Sequence, residues 1–318
     1  MQEKQVDQIY GAVLKFCNES GLNSKLKNSL ARSENERFDS LNIDDAGLDV
    51  LDAVHCLIDK QRTNLLIEEL KRKITNSDSV IEAGIGTGIL SFVASVYARE
   101  VVGFEINPKI FMLANDIKKY LIGLGLIEDN IKFILGDARL AQVNIKADVL
   151  ISENLYTGMF FEKQVQITRS LVNFLKPGAI LIPDGMRSYF NLTHVSLPNV
   201  KQIELRVVSD INEVPVLLSD ICEYDTIRFC NTVKDEISYS GNVRVKKGGV
   251  INSILISSDV LLSDNKIISR YDTIFMNNDI LLLVPENIEV REGDVLSVRI
   301  SYSYGSNPKD SVIEIKRL

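Results

Sequence analysis

The sequence predicts an α/β protein in which a mostly parallel sheet is preceded by helices and followed by antiparallel strands. Three observations lead to this fold class. Helical spacing of apolar residues marks the first part of the chain, short strands then alternate with helices, and helical periodicity disappears after Pro183-Asp184-Gly185. We therefore predict a helical lead-in over residues 1–76, an α/β domain over 77–184 and an antiparallel barrel or sandwich over 185–318.

The individual elements follow from the spacing of apolar residues. Two helical segments, Val6 to Leu30 and Val50 to Leu70, form the lead-in. The α/β part contains strands and helices in alternation, namely a strand around Val80, a helix near Leu90 to Tyr97, a strand at Val101 to Phe104, a helix around Pro108 to Leu121, strands at Ile131 to Leu135 and Ala147 to Ser152, a helix near Lys163 to Phe174 and a strand at Ala179 to Ile182. Such alternation implies a mostly parallel sheet with helices on both faces.

Beyond residue 185, short segments rich in Val, Ile, Tyr and Ser are separated by turn signals such as Ser240-Gly241-Asn242 and Gly248-Gly249. The candidate strands are Arg187 to Leu192, Thr226 to Phe229, Val243 to Val245, Ile251 to Ile256, Ile267 to Ile274, Val295 to Ser303 and Val312 to Ile315. This pattern is typical of a barrel or a sandwich.

Composition restricts the function classes. The 318 residues carry a net charge of −7, which argues against a general nucleic-acid binder, because such affinity depends on cationic contacts to phosphate. The four cysteines are widely spaced and only two histidines occur, so we expect no metal site. The chain starts without a signal-like segment and contains no membrane-spanning stretch, so we expect a reduced cytoplasmic setting and no membrane partner.

A Gly-rich turn and an acidic strand end together predict a nucleoside-type ligand. Gly84, Gly86 and Gly88 follow the first strand, where glycines let the backbone approach a ligand at the carboxyl edge of the sheet. The next strand ends at Glu105, about twenty residues beyond the turn, where a carboxylate can accept both hydroxyls of a ribose.

The spacing around the turn discriminates between cofactors. It is Gly-x-Gly-x-Gly, whereas a dinucleotide fingerprint requires Gly-x-Gly-x-x-Gly. Glu82 adds a carboxylate just before the turn, which suits a cationic amino-acid moiety and not a pyrophosphate. S-adenosyl-L-methionine therefore fits better than NAD. In Gly136-Asp137-Ala138, which follows a later strand, Asp137 is either an acceptor for an adenine amino group or a plain turn residue.

Two glutamates frame the loop after the strand at Ala147 to Ser152. Glu153 and Glu162 are nine positions apart, and both can turn into one cleft. Planar guanidinium presents a rigid fork of donors that paired carboxylates match. Tyr156 and Phe160, in the same loop, either line the pocket of a guanidinium acceptor or pack against the protein core.

These motifs resemble the protein arginine methyltransferases, which have a Rossmann-like methyltransferase sheet and a C-terminal β-barrel. The Glu153 to Glu162 loop resembles that family's double-E hairpin, Asp59-Lys60-Gln61-Arg62-Thr63 its Asp-x-x-Arg-Thr segment, and Arg37-Phe38-Asp39-Ser40 its cofactor-covering helix. Ile182-Pro183-Asp184 also resembles the Ile-Pro-Asp segment that joins the α/β unit to the barrel in that family.

The resemblance implies a role for each matching residue. Arg62 would bind the cofactor carboxylate, Phe38 would cover the cofactor, Glu105 would hold the ribose, and Glu153 and Glu162 would grip a guanidinium as catalytic residues. The full predicted cofactor site comprises Phe38, Arg62, Glu82, Gly84, Gly86, Gly88, Glu105, Asp137, Ala138 and Glu153. A homodimer, with residues 195–215 as the dimerisation arm, is also implied.

The chain departs from the family pattern at two places. A Thr-His-Trp loop is missing, since the corresponding stretch lies near Phe275-Met276-Asn277, and Asn154-Leu155 stands where the family commonly has Trp-Met. Three hypotheses therefore stay open. They are methylation of a guanidinium in a protein or a small guanidino compound, methylation of a small molecule of another acceptor class, and cofactor binding without catalysis.

Overall fold

The computed structural model describes residues 2–22, 49–229, 234–273 and 278–318. Within these ranges, no helix combines the length and the apolarity that a bilayer crossing requires. The six described α-helices are α1 (Gln2–Glu19), α2 (Val50–Ile58), α3 (Lys60–Lys73), α4 (Ile89–Tyr97), α5 (Pro108–Gly123) and α6 (Gln164–Leu171).

The predicted helix over Val50 to Leu70 is two helices. Asp49 caps the start of α2, because its side chain accepts from the backbone N–H groups of Leu51 and Asp52 while Asp52 accepts from the N–H of Asp49. The backbone leaves helical geometry at Asp59, at φ −68° and ψ 75°, and α3 starts again at Lys60. Helical periodicity runs through both segments, so the break was not visible in it. The predicted first helix ends at Glu19, and residues 23–30 lie outside the described ranges.

A five-stranded parallel sheet forms the centre of the α/β part, as predicted. Its strands are β1 (Ser79–Ala83), β2 (Glu100–Glu105), β3 (Ile131–Leu135), β4 (Ala147–Ser152) and β5 (Leu175–Ile182), in the order β3-β2-β1-β4-β5. The strand order reverses between β1 and β4, and a crevice opens at the carboxyl ends of strands at such a switch point. The Gly-rich turn after β1 and the acidic loop after β4 therefore start side by side.

The C-terminal part is antiparallel, as predicted, but its described strands do not close into a barrel. The strands are β6 (Gly185–His194), β7 (Glu204–Val207), β8 (Val216–Leu217), β9 (Cys222–Arg228), β10 (Glu236–Arg244), β11 (Gly249–Leu261), β12 (Ile267–Ile268), β13 (Ile280–Val290), β14 (Val295–Ser303) and β15 (Val312–Arg317). One sheet has the order β7-β13-β11-β6-β8, with β9 also paired to β6 and β12 to β11, and a second sheet has the order β10-β14-β15. Closure requires every strand to have two neighbours, whereas β7 and β15 end their sheets.

One predicted strand, Ile267 to Ile274, is much shorter in the structure. Only Ile267–Ile268 pairs with β11. The chain then turns, because the backbone N–H and the hydroxyl of Ser269 both donate to the Asp272 carboxylate. Residue 274 lies outside the described ranges. A local side-chain-to-backbone hydrogen bond has replaced the sheet ladder here.

Candidate active site

The turn between β1 and α4 has a left-handed backbone at all three of its glycines, with φ of +76° at Gly84, +55° at Gly86 and +86° at Gly88. Two of these positions are also sterically restricted. A Cβ at Gly84 would lie 2.6 Å from Oδ1 of Asn154, and one at Gly88 would lie 2.6 Å from the Phe92 ring. The glycines therefore allow both the turn and its close contact with the loop after β4.

Glu105 lies beneath this turn at the end of β2. Its carboxylate accepts from the backbone N–H of Gly86 at 3.3 Å and from that of Asn107 at 2.9 Å. Burial raises the pKa of Glu105, although these backbone donors oppose the shift. Each carboxylate oxygen has two lone pairs, so the two bonds leave acceptor capacity for the hydroxyls of a ligand.

Glu82 is a second buried carboxylate beside the turn. The hydroxyl of Ser91, on α4, donates to its Oε2. Burial, with the negative charge of Glu105 as a smaller contribution, raises the pKa of Glu82 to about 8. The two carboxyl groups therefore lie within electrostatic range of each other, and a cation bound beside them would favour the ionised form of Glu82.

Arg62 and Glu153 meet between α3 and the loop after β4. Nη2 of Arg62 forms an ion pair with Oε2 of Glu153, and Nη1 donates to the carbonyl oxygen of Cys56 at 3.1 Å. The structure thus brings together the residue predicted to bind the cofactor carboxylate and one of the two predicted catalytic glutamates. The sequence did not predict this pairing.

Glu162, at the other end of the same loop, is half-buried. Burial raises its pKa to about 7, with Lys163 opposing the shift and the charges of Asp52 and Glu105 adding to it. Glu162 therefore lies within electrostatic range of Asp52, on α2, and of Glu105, at the end of β2. Asp52 was not among the predicted site residues, because its position in a helix of the lead-in does not indicate contact with a ligand.

Asn154 ties the acidic loop to the Gly-rich turn. Its side-chain amide donates to the carbonyl oxygen of Ala83 at 3.0 Å, and its backbone N–H donates to Oε1 of Gln164 at 3.0 Å. Gln164, buried at the start of α6, also accepts from the hydroxyl of Ser152 at 3.0 Å. Asn154, which stands where the family that the sequence resembles commonly has Trp, thus has a structural role in this chain.

The two aromatic residues of the loop differ in their surroundings. Phe160 is fully buried and stacks on Tyr302 with ring centroids 4.3 Å apart. This position favours the packing role that was one of the two alternatives for Phe160. Tyr156 is half-buried and packs edge-on against Phe161 at 5.2 Å, so its role at an acceptor site stays a prediction.

Asp137 and Ala138 start a short 3-10 turn after β3. The Asp137 carboxylate accepts from the backbone N–H of Arg139 at 2.8 Å and from Nη2 of its guanidinium at 2.7 Å, and this pairing lowers the pKa of Asp137. Ala138 is buried against the α/β core. A contact of Asp137 with adenine thus competes with Arg139 and stays a prediction.

Two predicted features, Phe38 and the stretch 275–277, lie outside the described residues. Thr273, just before that stretch, donates its hydroxyl to Oδ2 of the buried Asp59 at 2.5 Å. The Asp-x-x-Arg-Thr segment is therefore connected to the C-terminal part at this point.

The predicted dimerisation arm packs against its own sheet. Leu197, Val200, Val208 and Ile211 cover a cluster that contains Val195. Within the same segment, Glu204–Val207 pairs with β13. The homodimer stays a prediction from the resemblance.

The fold is similar to that of a solved structure. The chain superimposes on a solved structure of the Trypanosoma brucei PRMT1 enzyme-prozyme heterotetrameric complex with AdoHcy, with a TM-score of 0.65 and 16% sequence identity, over 83% of this chain and 97% of that chain. This protein therefore has a methyltransferase-like fold, with a Rossmann-like parallel sheet and a C-terminal antiparallel part.

The chain is also similar in sequence to other proteins. The chain is 26% identical over 253 residues to an uncharacterised protein of Methanocaldococcus jannaschii, covering 79% of this chain and 91% of the relative. It is 28% identical over 125 residues to ribosomal protein L11 methyltransferase of Bacillus licheniformis, but that match covers only 39% of this chain and 37% of the relative. No protein-family model matches.

Proposed function

We propose that this protein is an S-adenosyl-L-methionine-dependent N-methyltransferase whose acceptor is a guanidinium group, in a protein arginine or in a small guanidino compound. The observation that carries the proposal is the placement of Glu153 and Glu162 at the two ends of the loop after β4, with Glu153 paired to Arg62 and Glu162 within electrostatic range of Asp52 and Glu105. The likeness to the PRMT1 structure with AdoHcy and to ribosomal protein L11 methyltransferase supports the methyltransferase class.

The residues around the turn fit this cofactor. Glu82 and Glu105 place two carboxyl groups beside the turn, and a cationic amino-acid moiety bound there would favour the ionised form of Glu82. Glu105 keeps lone pairs for ribose hydroxyls. A Cβ at Gly86 would meet only the Ala53 side chain, at 3.9 Å, so the backbone there has room for a ligand. Arg62 is the cation that would hold the cofactor's carboxylate.

Glu153 and Glu162 hold the acceptor. Arg62 engages Oε2 of Glu153, and the second oxygen of that carboxylate, Oε1, has lone pairs of its own for a guanidinium N–H. Glu162 provides the opposing carboxylate. Bonds from two sides fix a planar guanidinium in one orientation, which is the geometric requirement for in-line attack.

When bound, S-adenosyl-L-methionine supplies an electrophilic methyl group on a positively charged sulfur. The two glutamates aim one guanidinium nitrogen at that methyl group, so that an N–C bond forms as the S–C bond breaks. Glu153 and Glu162 would stabilise the positive charge that the acceptor carries during the transfer. Glu162, whose pKa is about 7, accepts the proton that the methylated nitrogen releases.

The experiment is a mass-spectrometric search for a product heavier by one methyl group. Purified protein and cofactor are incubated with a peptide pool and, separately, with a pool of guanidino metabolites. We expect methylation in one of the pools and a much lower yield of the methylated product in Glu153→Gln and Glu162→Gln. Glu69→Gln is the matched control, because Glu69 is a buried glutamate paired with Arg72 away from the site. Unchanged turnover in both site variants would refute the proposal.

A second candidate is an amine acceptor of another class. The observation that favours it is the ion pair of Glu153 with Arg62, because one carboxylate is already partly neutralised inside the protein. A pool of primary and secondary amines added to the same search decides between the two acceptors. Calorimetric binding of S-adenosylhomocysteine without methylation in any pool would instead indicate a cofactor-binding protein without catalysis.

A further inference from the structure

The acidic loop has an unusual backbone between its two glutamates. Gly158, Met159 and Phe161 have φ of +67°, +60° and +59°. For a residue with a side chain this conformation costs about 1–2 kcal/mol, and it persists only where the surroundings determine it. A Cβ at Gly158 would also lie 2.9 Å from the Phe160 ring. The loop therefore requires an external support.

Two hydroxyl groups of the C-terminal part bind the peptide groups of Gly158. The backbone N–H of Gly158 donates to Oγ of Ser258, on β11, at 3.0 Å. The hydroxyl of Tyr302, on β14, donates to the carbonyl oxygen of Gly158 at 2.7 Å. Ser258 and Tyr302 are buried and belong to different antiparallel sheets. We call this pair the hydroxyl clamp.

Each member of the hydroxyl clamp is itself held in place. Oγ of Ser258 lies 2.9 Å from Oγ of Ser188, and the hydroxyl of Tyr302 lies 2.6 Å from that of Tyr224. Burial raises the pKa of both tyrosines well above the ordinary value. Tyr302 therefore remains a protonated donor to Gly158 across the working pH range.

The clamp is connected to Glu162 through a few atoms. The Tyr302 ring stacks on Phe160, and the carbonyl oxygen of Phe160 accepts from the backbone N–H of Glu162 at 2.6 Å. The residues after β14 add two further bonds, from the N–H of Gly305 to Met159 at 2.7 Å and from the N–H of Phe161 to Ser306 at 3.0 Å. A displacement at Gly158 would therefore move the Glu162 carboxylate.

We propose that Ser258 and Tyr302 are positioning residues that hold Glu162 in its productive geometry by clamping Gly158 from both sides. This inference rests on the proposed methyl transfer, in which Glu162 contacts the acceptor. Neither residue touches the acceptor itself. The C-terminal sheets thus contribute to the site through a loop that belongs to the α/β part.

The test compares Ser258→Ala, Tyr302→Phe and the double variant with Ser253→Ala. Ser253 is the matched control, because it is a buried serine of the same strand whose hydroxyl pairs with Thr193 of β6 at 2.8 Å, away from the loop. Misplacement by about 1 Å costs on the order of 100-fold in rate. We expect kcat to fall by about that factor in the double variant, with the KM for S-adenosyl-L-methionine and the Kd for S-adenosylhomocysteine within about twofold.

A second readout separates failure of the clamp from failure of the proposed function. If the wild type methylates no guanidino acceptor, the proposed function fails, and the clamp is decided by NMR titration of Glu162 labelled with 13C at the carboxyl carbon. We expect its pKa to move from about 7 toward the ordinary glutamate range in the double variant and to stay unchanged in Ser253→Ala. An unchanged Glu162 pKa in the double variant, or a kcat loss no larger than that of Ser253→Ala, would overturn the proposal.

Discussion

Arg62 and Glu153 form a buried ion pair, with only 6% and 12% of their side chains exposed. The pair joins α3 to the acidic loop after β4, so the helical lead-in takes part in the same site as the parallel sheet. The pair also gives the two predicted catalytic glutamates different electrostatic surroundings. Glu153 lies against a guanidinium, whereas Glu162 lies near the acidic residues Asp52 and Glu105.

Removal of one member of this pair should destabilise the protein strongly. Arg62→Met leaves the Glu153 charge buried, which costs about 3–5 kcal/mol, whereas Arg62→Met with Glu153→Gln should cost less than the sum of the single changes. Urea unfolding of the four proteins measures the coupling. Arg206→Met is the control, because its pair with Glu204 is 34% exposed on each side and should be worth under about 1 kcal/mol. Additive single effects would contradict this prediction.

The pH dependence of methyl transfer should follow Glu162. Its raised pKa of about 7 means that it gains the charge needed to hold a guanidinium as the pH rises through that value. We expect kcat/KM to rise with pH and to level off above about 7. Glu162→Gln should abolish this rise. Glu153→Gln should lower kcat/KM at every pH but should keep its rise with pH. A rise of equal size in Glu162→Gln would assign the titration to another group.

The α/β part was predictable because its signals are local. The turn at Gly84, the strand end at Glu105 and the strand at Ile131 to Leu135 follow from spacing within short segments, and the structure confirms the fold class that they imply. The barrel alternative was wrong because periodicity identifies strands but not which edges meet. Closure depends on pairings between distant segments, such as β7 with β13.

The contacts that shape the site were less predictable. Arg62 with Glu153, and Gly158 with Ser258 and Tyr302, are long-range pairs of common residue types, and a buried serine in a strand has no distinguishing pattern around it. Asn154 was noticed only as a departure from a family pattern, and its contact with Gly84 depends on the packing of two loops. The assigned roles of the site residues stay predictions.

Gly84→Ala should destabilise the protein more than Gly178→Ala, although both glycines have a left-handed backbone of nearly the same φ. Gly84 and Gly178 have φ of +76° and +79°, but a Cβ at Gly84 meets Asn154 at 2.6 Å, whereas one at Gly178 meets nothing within 4 Å. Both alanine variants lose about 1–2 kcal/mol to strain, and Gly84→Ala should lose about 1–3 kcal/mol more from the clash. Urea unfolding measures both. Equal losses would show that Asn154 adapts to the added methyl group.

The stability of the protein should fall as the pH rises from 5 to 8, with Glu82 as a cause. Its pKa is raised from the ordinary 4.5 to about 8 by burial. Between these values the folded state keeps a proton that the unfolded state has released, so the free energy of unfolding decreases with pH, by at most about 1.4 kcal/mol per pH unit for this group.

Urea unfolding of Glu82→Gln between pH 5 and pH 8 checks this assignment. The slope should become shallower in this variant, since a glutamine side chain does not titrate and its amide oxygen can still accept from Ser91. Glu100→Gln is the control, because the Ser79 and Arg99 side chains lower the pKa of Glu100, and its stabilising contribution is lost only at more acidic pH. The Glu100 variant should therefore keep the wild-type slope. A wild-type slope in Glu82→Gln would mean that Glu82 is ionised in the folded protein, and the pH dependence would then belong to other buried acids such as Glu162.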